Sequence, residues 1–289
     1  MGLEKLRRKI FVALDESSPY LVKQILEHFG YSFSPNFSDK SLLREFSILR
    51  KRILSSHAFS NEFIQGVILP YESAYEEING MKLNEFLFQK GIRSFLKIDE
   101  GVMKEEHGIK IPSISLEELD LRLSFAHCSH YQGIKTRSLI YSSDAKGIKN
   151  AVKQQLIIAR HSLMHELTPI IELEVDTHIA DRKKAETRLF NELERKSDRL
   201  IKSGKIIYRF SFPETNGLYA PLLKKEPIEM LLASTSGYSK SEVLQKAKQN
   251  PELIPAFSRA FLDELRVNMN EREFSETLFR SIEEISQIE

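Results

Sequence analysis

Apolar positions along the chain follow two rhythms that alternate from end to end. Short apolar or β-branched runs predict strands over 11–15, 63–70, 95–99, 133–141, 168–175, 205–212, 229–235 and 254–261. Elsewhere apolar residues recur three and four positions apart, as in Val22, Ile25, Leu26 and Phe29, or Leu42, Leu43, Phe46, Leu49 and Ile53. That spacing predicts helices over 17–30, 40–55, 83–90, 116–125, 145–166, 181–203, 240–249 and 271–285, with Gly30 stopping the first. Strands alternating with helical patterns build a parallel sheet with crossovers. Eight strands over 289 residues predict one α/β domain, residues 1–289, closed as a (β/α)8 TIM barrel. An open doubly wound sheet competes with it, but no glycine-rich turn follows the first strand to support a nucleotide-binding form.

Four of these strands interrupt their apolar pattern with charge. Residues two apart in a strand share a face, so Glu172 and Glu174 point one way while Leu173 and Val175 point the other. The same spacing pairs Lys97 with Asp99, Lys135 with Arg137, and Arg209 with Ser211. A lone buried charge is expensive, so charges recurring on strand after strand imply that they converge and neutralise one another around a polar site. With Asp15 at the end of the first strand, they fall near the C-terminal rim, where barrels place their chemistry. The turn Thr235-Ser236-Gly237-Tyr238-Ser239 opens a helix after the seventh strand, and free amides there suit a phosphate. Arg259, in the eighth apolar run, completes such a grip with a forked guanidinium. Cations set around carboxylates point to an anionic, phosphorylated substrate.

Composition narrows the partners. With 41% hydrophobic and 29% charged residues the chain has an ordinary globular make-up, and a formal net charge of +1 gives no reason to expect nucleic acid or an acidic membrane surface. Cys128 is the only cysteine, which excludes an intramolecular disulfide and a thiolate metal cluster. The charged start over 1–9 is followed by no signal-type apolar segment, and no apolar run approaches a bilayer span. The expected location is cytoplasmic, and assembly into a homo-oligomer stays open.

The residues that carry the charges also carry a family likeness. Ala13-Leu14-Asp15-Glu16-Ser17, Phe95-Leu96-Lys97-Ile98-Asp99-Glu100-Gly101 and Lys135-Thr136-Arg137-Ser138 come in order along the chain. Pro169-Ile170-Ile171-Glu172-Leu173-Glu174-Val175, Ser236-Gly237-Tyr238-Ser239 and Phe257-Ser258-Arg259-Ala260 follow them. In these segments the chain resembles the class I fructose-1,6-bisphosphate aldolases of the compact bacterial type, from about Phe11 to Leu265. The resemblance implies cleavage of fructose 1,6-bisphosphate to dihydroxyacetone phosphate and glyceraldehyde 3-phosphate, as in glycolysis, through a Schiff base and without metal or other cofactor. It implies that Asp15 assists carbon–carbon cleavage and that Lys135 aids carbinolamine chemistry. Glu172 becomes the general acid/base, with Glu174 as its supporting carboxylate. Lys97 and Arg137 become substrate and phosphate contacts, and Arg259 with the Thr235 to Gly237 turn becomes the triose phosphate grip.

At one position the resemblance departs from the family pattern. The family's imine lysine lies on the sixth strand in a run Lys-Leu-Thr-Ile-Pro, with a tyrosine in register further on. Here that run reads Arg209-Phe210-Ser211-Phe212-Pro213, with Tyr219 in register, so the nucleophile position holds Arg209. A guanidinium stays protonated at any working pH and forms no Schiff base. Two Ser-Gly-Gly turns of the family read Ser17-Ser18-Pro19 and Thr235-Ser236-Gly237 here, and a lost glycine restricts backbone approach to a phosphate. Lys205 lies four residues before Arg209, about 13 Å away at strand rise, towards the wrong end of the barrel. Lys135 is the better amine: it faces inward on the fourth strand, the strand that carries the imine lysine in the related transaldolases. Arg137 and Arg209 nearby are expected to disfavour its ammonium and so activate it. The competing expectation is an inactive aldolase homologue that binds a sugar phosphate or another anion.

Each feature also has an ordinary structural role. Glu172 and Glu174 fit a salt-bridge network, Thr235 to Ser239 fits a helix cap, and Arg182-Lys183-Lys184 fits a solvated helix face. Cys128 between His127 and His130 is a weak metal signal.

Overall fold

The computed structural model describes residues 9–34, 36–99, 103–112, 114–200, 204–259 and 262–287. The charged start over 1–8, motif residues Glu100, Gly101 and Ala260, Phe261, and the end of the helical pattern at 201–203 lie outside the described residues. Eight parallel strands form the barrel: β1 Ile10–Ala13, β2 Ile64–Pro70, β3 Arg93–Lys97, β4 Gly133–Ile140, β5 Thr168–Val175, β6 Ile206–Ser211, β7 Ile228–Ser234 and β8 Leu253–Phe257. Each pairs with its neighbours, β8 with β1 among them, and the pairing of β3 with β4 closes the ring. The expected closed (β/α)8 barrel is the observed one, and the open sheet is excluded.

The eight expected helical patterns are helices: α1 Pro19–His28, α2 Asp39–Ser55, α3 Leu83–Gln89, α4 Leu116–Cys128, α5 Ala145–Met164, α6 Arg182–Leu200, α7 Lys240–Gln249 and α8 Glu271–Ser286. Their starts follow capping chemistry. Ser38, Ser115, Asp144, Ser239 and Asn270 each accept a first-turn amide, and Glu242 and Glu273 complete capping boxes on α7 and α8. Two small hairpins were not legible as strands. Glu77–Ile78 pairs with Met81–Lys82, and Met103–Glu106 pairs with Ile109–Pro112, which adds antiparallel to the end of β4. Strands of two to four residues are too short to show a period.

Period-two alternation divides the interior into two cores. Outward residues of the strands pack against the helices in one continuous shell that includes Val12, Val67, Leu96, Leu173 and Phe210. Inward residues form a separate cluster of Phe11, Ala13, Ile68, Phe95, Ile170, Ile207, Met230, Leu232 and Ala256. Two positions further along the same inward rows stand the charged residues, Lys97 after Phe95, Glu172 after Ile170, and Arg209 after Ile207. The apolar layer therefore floors the barrel and the polar layer sits on it, towards the C-terminal mouth. Beneath the floor Arg93 pairs with Glu229 at 2.5 Å and packs over the Phe95 ring.

Close approach across the floor demands a glycine at the start of β4. A Cβ on Gly133 would stand 1.9 Å from the Thr168 carbonyl oxygen and 2.7 Å from the Phe95 ring. Gly133→Ala is expected to force strands β4 and β5 apart and to destabilise the protein by about 1–3 kcal/mol, the usual cost of overpacking. Urea denaturation of the variant checks this.

Candidate active site

Ladder register places the charges in contact. Glu172 on β5 is in register with Arg137 on β4 and with Arg209 on β6, so one carboxylate is flanked by two guanidinium strands. Arg209 Nη1 stands 3.1 Å from Glu172 Oε1, and Lys135 Nζ stands 2.7 Å from Glu172 Oε2. Lys135 Nζ also donates to Asp15 Oδ2 at 3.0 Å. The result is a buried chain, Asp15–Lys135–Glu172–Arg209, with Lys135, Glu172 and Arg209 almost wholly enclosed. Arg137 extends it to Glu174 at 3.5 Å.

Lys97 closes the opposite side. Its Nζ donates to Ser17 Oγ at 2.9 Å and lies 3.9 Å from Asp99 Oδ1. Asp99 Oδ2 accepts the Arg137 amide at 3.1 Å, which ties the end of β3 to β4. Asp15, Lys97, Lys135, Arg137, Glu172 and Arg209 border one narrow cavity at the mouth, with Ser236, Ser258 and Arg259 on its far wall and Ile25 and Phe46 supplying an apolar side. Its volume is about 80 Å³, room for several water-sized groups at roughly 10–15 Å³ each.

Burial opposes the charged forms of Asp15, Lys135, Arg137, Glu172 and Glu174, and the partners decide the outcome. Burial would raise the Asp15 carboxyl, but Lys135, Arg209 and Lys97 outweigh it and hold the acid well below the usual carboxylate range. Glu172 is also held low against its burial, by Arg209, Lys135 and Arg137. Glu174 goes the other way: burial and the neighbouring Glu172 charge outweigh the arginines and raise it. One carboxyl of the pair is thus fixed as an anion while the other is disposed to carry a proton, the division of labour that acid/base chemistry requires.

The electrostatics of Lys135 differ from the sequence expectation. Burial disfavours its ammonium, but Asp15, Glu172 and Asp99 outweigh burial and Arg137, so the charged form is held more firmly than in free lysine. The arginines activate it less than their sequence positions suggest, because each is matched by a carboxylate in the same layer.

Not every expected site residue reaches the cavity. Asp15, Lys97, Lys135, Arg137, Glu172, Arg209, Ser236 and Arg259 line it, whereas Glu174, Thr235 and Gly237 do not. Thr235 is buried, donates its hydroxyl to the Ala256 carbonyl at 3.3 Å and accepts the Ser258 amide at 3.4 Å. It fastens the end of β7 to the end of β8. Gly237 has φ +83°, the left-handed region that favours glycine, and turns the chain towards α7. Arg259 is exposed at the rim and makes no ion pair among the described residues. Lys205 lies outside the barrel, bonded to Glu226.

The sequence reading passed over Glu16. Its Oε1 accepts the amides of Ser17 at 3.0 Å and Ser18 at 2.8 Å, where the α1 N-terminus meets the cavity. The Glu242 carboxylate likewise takes the Ser239 amide at 2.7 Å, so the cap expected over Thr235 to Ser239 resides in Ser239 alone. Among the described residues no group of three or more histidines, cysteines or acids is placed to hold a metal ion, and no helix is long and apolar enough to cross a membrane.

No family model matches the chain. It is 34% identical over 276 residues to the class 1 fructose-bisphosphate aldolase of Clostridium acetobutylicum, a match covering 94% of this chain and 92% of the relative. Its fold is similar to that of the fructose-bisphosphate aldolase of Plasmodium falciparum, with TM-score 0.72 and 16% identity over 96% of this chain and 89% of that one. Cgl0159 of Corynebacterium glutamicum is similar at TM-score 0.52 and 12% identity, over 96% and 90% of the two chains. At these identities the two solved structures speak for the fold alone.

Glu172 is the joint on which Lys135 and Arg209 both depend. Glu172→Gln is expected to cost about 3–5 kcal/mol at neutral pH, because two buried cations lose their shared partner. Asp15 and Glu172 have folded pKa values below their ordinary 3.8 and 4.5, so their contribution is present above those values and is lost as pH falls through the folded ones. The cost of Glu172→Gln should therefore shrink on acidification, which urea denaturation at pH 7 and at acid pH measures.

Proposed function

Because the chain belongs to the class 1 fructose-bisphosphate aldolase family, we propose that it is an aldolase-type lyase acting on a phosphorylated ketose, with Lys135 supplying the amine. Fructose 1,6-bisphosphate is the proposed substrate, cleaved to dihydroxyacetone phosphate and glyceraldehyde 3-phosphate. The observation that carries the reading is the position of Lys135 Nζ, 3.0 Å from Asp15 and 2.7 Å from Glu172. An imine-forming amine needs a carboxylate that takes its proton and returns it to the departing hydroxyl, and Asp15 and Glu172 both stand within reach.

In this scheme Arg259 and the Ser236 hydroxyl hold a phosphate at the rim, and the ketose carbonyl meets Lys135. The ammonium gives a proton to Asp15 or Glu172, nitrogen bonds to the carbonyl carbon, and the oxygen takes up a proton. Loss of water from this carbinolamine leaves an iminium, which draws in the electrons of the breaking carbon–carbon bond. A carboxylate takes the hydroxyl proton as the aldehyde departs. Protonation of the enamine carbon and hydrolysis return the amine. Arg209 keeps its charge throughout, so its part is to hold Glu172 as the anion.

A second reading is a sugar-phosphate binder without turnover. It is favoured by the firmness of the Lys135 ammonium and by the Arg209–Glu172 pair. Trapping separates the two. Borohydride with dihydroxyacetone phosphate is expected to add a covalent triose to Lys135, seen by intact mass and peptide mapping, and Lys135→Met should abolish it. Absence of an adduct, with the ligand still raising the melting temperature, would establish the binder. Arg209→Lys places an amine where the sequence resemblance sets the family's lysine, and is expected to raise trapping and cleavage by at least about tenfold.

A further inference from the structure

Charge is distributed unevenly over the helices that surround the barrel. Of the eight, α5 is the one without an aspartate or glutamate in its span. Other helices answer their cations in place, as Arg122 with Glu118, Arg182 with Glu186, and Arg272 with Glu276. The cations of α5 have no such answer. Lys146, Lys149, Lys153 and Arg160 are exposed, and among the described residues none of them makes an ion pair.

These four share one face. Together with half-buried Ile157 and the exposed Met164 they follow each other three or four positions apart. From Lys146 to Arg160 the stripe runs about 21 Å at helical rise. Like charges at that spacing repel, and Lys146 also stands in the first turn, at the positive end of the helix dipole. The neighbouring α6 adds to the field: Lys196 Nζ reaches the Lys149 carbonyl at 3.4 Å. Each of these costs is relieved by an anionic partner laid along the stripe.

The surroundings narrow the kind of partner. Both flanks carry acids: Asp120 on α4 bonds His161 at 3.0 Å, and Glu192 on α6 pairs with Lys196 at 3.7 Å. The unanswered positive charge is therefore one helix wide, about 10 Å, too narrow for a duplex or a membrane surface. A single nucleic-acid strand fits the width but draws its affinity from aromatic side chains that stack its bases, and the stripe carries none. It carries aliphatic side chains instead, Ile157 among the cations and Met164 at the end. We propose that the outer face of α5 is a docking surface for an acidic amphipathic helix of a partner protein. Its carboxylates, one turn apart, face Lys146, Lys149, Lys153 and Arg160, and an apolar side chain in the same row seats on Ile157. The inference does not depend on chemistry at Lys135.

The probe is a fluorescein-labelled helical peptide of 20 residues, the length of α5, with glutamates one turn apart and one leucine in their row. Fluorescence anisotropy with the full chain is expected to show binding that weakens between about 0.05 and 0.3 M salt. Lys146→Glu/Lys149→Glu/Lys153→Glu should weaken it by about tenfold or more, and Ile157→Ser by a few-fold. Lys82→Glu/Lys224→Glu/Lys248→Glu makes the same change in net charge at scattered exposed positions and should leave binding within about twofold. Unaltered thermal melts verify the fold of each variant. Equal weakening by the two triple variants reduces the effect to net charge and overturns the proposal, as does absence of binding at low salt. Tighter binding of oligouridylate or of phosphatidylserine vesicles, lost in the α5 variant, also overturns it and assigns the stripe to that partner.

Discussion

Everything at the mouth of this barrel depends on balancing charge where water is scarce. Lys97, Lys135, Arg137 and Arg209 are set against Asp15, Asp99, Glu172 and Glu174, four cations and four carboxyls on the inward rows and strand ends. Burial alone would drive Asp15, Lys135, Arg137 and Glu172 towards their neutral forms; their partners hold these four ionised, whereas Glu174 is raised. Register supplies the alternation, because Glu172 lies between the arginines of two neighbouring strands. Such a network adds little net stability over an apolar filling of the same shape. Its presence on top of a complete apolar floor marks it as a site.

That balance also determines what an arginine on the sixth strand does. A lysine there could shed its proton to Glu172 and become a nucleophile. Arg209 cannot, and it gives Glu172 a permanent counter-charge at 3.1 Å. The carboxylate is thereby better fixed as an anion and a weaker acceptor of protons. In the same way Asp15 and Glu172 stabilise the Lys135 ammonium that a Schiff base would need to lose. On the proposed reading, the arrangement favours holding an anion over amine chemistry, a trade set by one side chain.

Much of the fold was legible because its signals are periodic. Two-residue alternation in Glu172 and Glu174, and in Arg209 and Ser211, showed both strand and inward face, since one slip would have exposed every partner. The likeness of ordered motifs then located Asp15, Lys97, Lys135 and Arg259 around one mouth. What stayed illegible depends on contacts between distant segments. Whether Lys135 is charged is decided by Asp15, 120 positions away. Thr235 looked like a phosphate ligand because it opens a hydroxyl-rich turn, yet its hydroxyl is engaged by the neighbouring strand end.

Glu16 carries a consequence of its own. By accepting the Ser17 and Ser18 amides, the Glu16 side chain partners donors at the N-terminus of α1 from within the chain itself. A tethered competitor acts at a fixed local concentration that no dilution lowers. The N-terminus of α1 therefore meets the cavity with these amides already engaged by a tethered side chain, which any other acceptor has to displace first.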